Sequence, residues 1–119
     1  LTEQQVISHY KQLLGDCSAI RRKIAELEQE STEHELVMET LEKVEEKTKR
    51  RAFRLVGGVL VERTVADVLP SVQANHAGIK QVLGHLATDL RAKEEAAAAW
   101  KIKYSIRTQD ELQAGAAAQ

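Results

Sequence analysis

Apolar residues recur along this chain in alternating steps of four and three, and they do so twice. The first seam reads Val6, Tyr10, Leu13, Cys17, Ile20, Ile24, Leu27, Ser31, His34, Met38 and Leu41. The second reads Val65, Leu69, Val72, His76, Ile79, Leu83, Leu86, Leu90, Lys93, Ala97, Trp100 and Tyr104. A repeat of this period leaves a narrow stripe on a helix, too narrow for a broad globular face and suited to one partner helix. The composition agrees. Aromatic residues make up 3% and charged residues 29%, which leaves little to fill a thick core.

The first pattern predicts a helix over 3–49, roughly 70 Å long at the standard rise, with Thr2 ahead of Glu3 as its cap. Acid-before-base pairs at helical spacing, Glu39–Lys43, Glu45–Lys49 and Glu46–Arg50, support its solvent face. The run Lys47-Thr48-Lys49-Arg50-Arg51 reads as cations at the negative end of the helix dipole rather than as a nuclear-import or phosphate-binding patch. The second pattern predicts a helix over 65–106. Thr64 and Asp67 form its capping box. Pro70 implies a kink or a short turn with the helix restarting at Ser71. Residues 108–119 lose the seam and are expected to form a flexible tail.

Between the seams lies the only segment with strand character, residues 51–64. It holds Gly57-Gly58 at its centre, and glycine supplies the positive φ of a tight hairpin turn. A two-residue and a three-residue turn both fit. Such a turn folds the second helix back along the first. Residues equally distant from the turn then lie level, so Leu27 faces Leu86–Leu90, Leu41 faces Val72 or Ala74, and Val6 and Tyr10 reach Tyr104 and Ile106. The fold class is therefore mainly α, a long antiparallel two-helix coiled coil joined by a β-hairpin.

Few features suggest chemistry. His9, His34, His76 and His85 are spread along the chain and do not converge as zinc ligands must, so no metal site is expected. His34 with Ser31, near Gly84 and His85, is expected to form a polar layer in the seam. Cys17, the one cysteine, excludes an intrachain disulfide, suits a reducing compartment, and reads as a small buried hydrophobe without a base beside it. Gly57-Gly58 lacks the residues of a phosphate loop. No catalytic residue, cofactor or enzymatic activity is expected. The net charge of −1 gives no global basic field for nucleic acid. No apolar run approaches a membrane span. A signal-peptide pattern is lacking, and because the chain begins at Leu1 a natural N-terminal tail is expected ahead of it.

Two places suggest binding. An isolated hairpin is marginal in water, and Phe53, Leu55, Val56, Val59, Leu60 and Val61 would be left apolar and uncovered. Their cover must come from other subunits, through a shared sheet or barrel. At the opposite ends of the helices, Val6, Ile7, Tyr10, Leu13, Trp100, Tyr104 and Ile106 gather the one Trp and both Tyr. Seam packing accounts for several of these. The off-seam apolar groups Ile7, Leu14, Ile102 and Ile106 instead suggest a binding patch.

The string Phe53-Arg54-Leu55-Val56-Gly57-Gly58-Val59-Leu60-Val61-Glu62-Arg63-Thr64-Val65-Ala66-Asp67-Val68-Leu69-Pro70 resembles the matching stretch of beta-class prefoldin subunits, those of eukaryotes most of all. One hairpin rather than two indicates the beta class, and the helix–hairpin–helix plan covers residues 3–107. The resemblance implies a subunit of an ATP-independent, heterohexameric co-chaperone made of alpha- and beta-class subunits. Its hairpins form an intersubunit β-barrel, here through Phe53, Leu55, Val56, Val59, Leu60 and Val61. Its coiled-coil tips hold unfolded proteins such as actin and tubulin for the cytosolic group II chaperonin, here through Val6, Ile7, Tyr10, Leu13, Trp100, Tyr104 and Ile106. A cytoplasmic location is implied, with the nucleus as a second. The alternative is a structural coiled-coil adaptor in one fixed assembly, without client binding.

Overall fold

A computed structural model describes residues 1–107 as two long helices with an antiparallel hairpin between them. The elements are α1 (Glu3–Glu42), β1 (Arg51–Val56), β2 (Val59–Thr64) and α2 (Val65–Lys103). They fall into two compact units. One is Ile24–His85, with the hairpin. The other comprises, among the described residues, Leu1–Lys23 and 86–107. Each helix contributes to both units. The expected tail at 108–119 lies outside the described residues.

Every α1 seam position is buried or half-buried, and so is every α2 seam position except Lys93. Lys93 instead reaches outward, its ammonium 3.6 Å from Asp16. In the N- and C-terminal unit the most buried groups are Val6, Leu13, Cys17 and Ala97. In the hairpin unit they are Leu27, Ser31 and Val65.

α1 opens on a reciprocal capping box. The Gln5 N–H donates to Thr2 Oγ1 at 3.1 Å, and the Thr2 N–H donates to Gln5 Oε1 at 2.8 Å. α2 opens with the Asp67 N–H donating to Thr64 Oγ1 at 3.3 Å. α2 closes on a Schellman stop. The Ile106 N–H donates to Lys101 O at 3.0 Å and the Ser105 N–H to Ile102 O at 3.3 Å, with Ser105 at φ 50°.

The first helix ends at Glu42, seven residues before the expected boundary at 49. Residues 43–50 form a connection instead, with Glu46 at φ 53° and the Lys49 and Arg50 N–H groups both donating to Glu46 O at 2.9 Å. Its outer carbonyls have a use. Val65 N–H donates to Arg50 O at 2.9 Å, and Ala66 N–H donates to Lys47 O at 3.0 Å. Two donors at the start of α2 are thus satisfied by the connection, which continuing α1 would have denied them. Glu39–Lys43 forms an ion pair at 3.2 Å. The Glu45–Lys49 and Glu46–Arg50 pairs fall beyond the helix and do not support it. The basic run likewise lies outside α1. Only Lys47 turns back, its ammonium donating to Glu42 O at 2.9 Å and Val44 O at 2.8 Å.

Pro70 lies inside α2, which is continuous from Val65, so no restart at Ser71 occurs. As the sixth residue of the helix, Pro70 lies past the first turn and removes the donor that would otherwise reach Ala66 O, yet the helix runs on through it.

The asymmetric connection also resets the level of the helices. Ser31 meets His76, where equal distance from the turn would place Gly84. The displacement of eight residues matches the eight residues of 43–50, which add no length on the α1 side. The polar layer is accordingly Ser31 with His76, at 3.2 Å between Oγ and Nε2. It is not Ser31 with His34, whose Nδ1 donates to Glu30 O of its own helix at 2.8 Å. His76 Nε2 also lies 3.1 Å from Glu35 Oε1. An ionised carboxylate only accepts, so Nε2 carries the hydrogen and shares it between Glu35 and Ser31.

Candidate assembly and binding surfaces

The hairpin pairs Leu55 with Leu60 and Val56 with Val59. This selects the two-residue turn, and Gly57 at φ 55° and Gly58 at φ 83° meet its demand for positive φ at both central positions. The register also sorts the side chains, because directly opposed residues share a face. One face carries Arg51, Phe53, Leu55, Leu60, Glu62 and Thr64. The other carries Ala52, Arg54, Val56, Val59, Val61 and Arg63.

The second face is the one turned toward α2. Ala52 and Val61 are half-buried there, and the Arg54 guanidinium lies 3.5 Å from Ser71 Oγ. The first face is open. Phe53, Leu55 and Leu60 are 61%, 70% and 64% exposed. Beyond them the turn-proximal Val56 and Val59 are exposed as well. Of the six residues expected to carry assembly, five therefore stand in solvent and Val61 is partly covered. The sheet has two strands, so each strand keeps one unpaired edge among the described residues.

The residues expected at the tip divide differently. Val6 and Leu13 are buried in the seam. Tyr10, Trp100, Tyr104 and Ile106 are half-buried, and Ile7 is exposed. Trp100 is held on three sides. Its Nε1–H donates to Val6 O at 3.0 Å, and its ring centroid lies 4.2 Å from that of His9 and 4.5 Å from that of Tyr104. Lys103 places its ammonium 5.3 Å from the Tyr104 centroid. The exposed apolar groups of this unit are Ile7, Leu14 and Ile102, the last at 79%. Ile102 lines an open hollow with Ala98, Lys101, Ser105, Ile106 and Arg107. Ile102 and Leu14 are thus far more exposed than Val6 or Leu13. Their off-seam spacing was the signal.

Cys17 is a buried free thiol. Among the described residues no group of three or more His, Cys, Asp and Glu is placed to hold a metal ion, and no helix is long and apolar enough to cross a membrane.

Comparison with known proteins agrees with this architecture. The family model described as prefoldin subunit matches residues 4–111. The rat and human proteins named prefoldin subunit 2 are each 39% identical over 111 residues, spanning 93% of this chain and 71% of theirs. A Dictyostelium discoideum protein named probable prefoldin subunit 2 is 44% identical over 93 residues, 78% of both chains. With the family model covering nearly the whole helix–hairpin–helix plan, this chain belongs to the prefoldin subunit family.

Proposed function

We propose that this chain is a subunit of the heterohexameric prefoldin co-chaperone. Its hairpin joins those of alpha- and beta-class subunits in a shared β-barrel through Phe53, Leu55, Val56, Val59, Leu60 and Val61. The supporting observation is the open hairpin face, where three large apolar side chains sit together beside unpaired strand edges. Such a face costs free energy in water until it is covered. The distal ends of the helices hold unfolded proteins such as actin and tubulin without ATP and pass them to the cytosolic group II chaperonin. Several weak apolar contacts on separate subunits add through effective concentration. No catalytic step, cofactor, metal, nucleic acid or membrane enters this reading, and the work is cytoplasmic, with a nuclear role as a further setting.

Reconstitution tests it. Mixed with the other five subunits of a eukaryotic prefoldin, the wild-type chain should enter a hexamer and suppress aggregation of chemically unfolded actin. Leu55→Ser with Leu60→Ser should stay outside the hexamer while its helices remain folded. The adaptor reading draws on the burial of Val6 and Leu13, which removes two groups from the tip surface. Ile7→Ser with Ile102→Ser decides between them. If that variant assembles and still suppresses aggregation, the tip does not hold clients through these groups and the adaptor reading gains.

A further inference from the structure

The near-neutral chain is unevenly charged. Of its 17 Lys and Arg and 18 Asp and Glu, the stretch from Lys47 to Asp67 holds six of the former and only Glu62 and Asp67 of the latter. Some of these cations are already used. Lys47 is engaged with the end of α1, and Arg51 pairs with Glu62 at 2.9 Å. Lys49, Arg50 and Arg63 have no anionic partner among the described residues, and Arg54 has only the Ser71 hydroxyl.

The register makes this surplus directional. Ala52 opposes Arg63 and Arg54 opposes Val61, so Arg54 and Arg63 are diagonal neighbours on one face. Two like charges at that spacing repel, and nothing on the face neutralises them. Lys49 and Arg63 also line one open hollow beside β2, with Arg51, Glu62 and Asp67. Arg54 and Arg63, both exposed, therefore flank the exposed Val56 and Val59 on their own face of the hairpin, the face opposite Leu55 and Leu60.

We propose that this basic collar chooses the neighbours. The hairpins that pack on this one carry carboxylates opposite Arg54 and Arg63, so the chain joins acidic-collared subunits and rejects copies of itself. The inference rests on the assembly reading above and adds the chemistry of the partner. Apolar contacts supply adhesion to any similar hairpin. The charges discriminate, because a like-charged collar brought into a partly desolvated contact is strongly disfavoured.

The test uses the full chain with the five other eukaryotic subunits and follows incorporation by native mass spectrometry. Arg54→Glu with Arg63→Glu is expected to lower incorporation at least about tenfold at low salt, with the deficit shrinking in high salt as charges are screened. The corresponding double change to Gln should fall between. Arg63→Glu alone, at a side chain with no partner here, guards against a folding defect, and far-UV circular dichroism should match wild type. If the double Glu variant enters like wild type while Leu55→Ser with Leu60→Ser is excluded, the charge inference falls and the assembly reading stands. If both enter, the assembly reading falls. Self-association of the chain alone at low salt, unchanged by Arg54→Glu with Arg63→Glu, overturns the rejection of copies. Binding of the assembled complex to a single-stranded oligonucleotide, lost in the double Glu variant with incorporation intact, would assign the collar to nucleic acid instead.

Discussion

The indole N–H of Trp100 donates to the backbone carbonyl of Val6 at 3.0 Å, tying the last turns of α2 to the first turns of α1. A helical carbonyl has a second lone pair, so this bond adds to the helix's own rather than competing with it. Trp100 is therefore a clamp within its unit as well as an aromatic surface.

Trp100→Phe keeps a six-membered ring against His9 and Tyr104 and removes the donor together with the pyrrole part of the indole. It is expected to cost about 1 kcal/mol in urea unfolding of the isolated chain. Trp100→Ala also loses packing and should cost about 3 kcal/mol. A Trp100→Phe variant as stable as the wild type would show that the bond contributes little.

Ser105 sits in the left-handed region at φ 50°, at the position of the Schellman stop where glycine is preferred. Ser105→Gly should raise stability by up to about 1 kcal/mol, measured as a shift in the unfolding midpoint. Ser105→Val should lower it, because a β-branched residue resists that conformation.

Much of the fold was legible because the seam positions answer to a single rule. Each of them wants one neighbouring helix, and all but Lys93 are at least half-buried. Lys93 broke the pattern in its chemistry, and a lysine can leave the seam at little cost when Asp16 is near. The hairpin was legible because a Gly-Gly pair between β-rich runs has few other uses. The end of α1 was not. Glu45–Lys49 and Glu46–Arg50 have helical spacing, and local propensity gave no reason to stop. What stopped the helix is tertiary. Val65 and Ala66 each needed an acceptor, and the connection supplies them. The tip residues were mixed because the expected set joined seam groups such as Val6 and Leu13, which the period itself buries, with an off-seam group such as Ile7. The charge collar depends on strand register, which two turn lengths had left open.

The connection should respond to its own strained residue. Glu46 at φ 53° accepts from two backbone donors, so Glu46→Gly is expected to stabilise by up to about 1 kcal/mol. Glu46→Pro fixes φ near −65° and should destabilise by several kcal/mol. Thermal unfolding followed by circular dichroism reads both.

The Ser31–His76 layer should trade stability for register. Ser31→Leu with His76→Leu removes the shared hydrogen bond and lines the seam with aliphatic groups, as polar-to-apolar changes in coiled coils do. The unfolding temperature should rise. Pairing should become less unique, which a cysteine pair introduced at one level and tested for oxidation at neighbouring levels would detect. A lower temperature with unchanged pairing would assign the layer to stability instead.

The two arms of the hairpin meet their helices on unequal terms. β2 runs into α2 without an intervening residue, whereas β1 is reached from α1 through residues 43–50. One residue inserted between Thr64 and Val65 would turn the whole of α2 by about 100° about its axis and swing its seam away from α1. One residue inserted in 43–50 can be absorbed as slack. The hairpin and the second helix are thus geared together, while the first helix is on a clutch. Lineages of this family should vary in length at the clutch and hold constant at the gear.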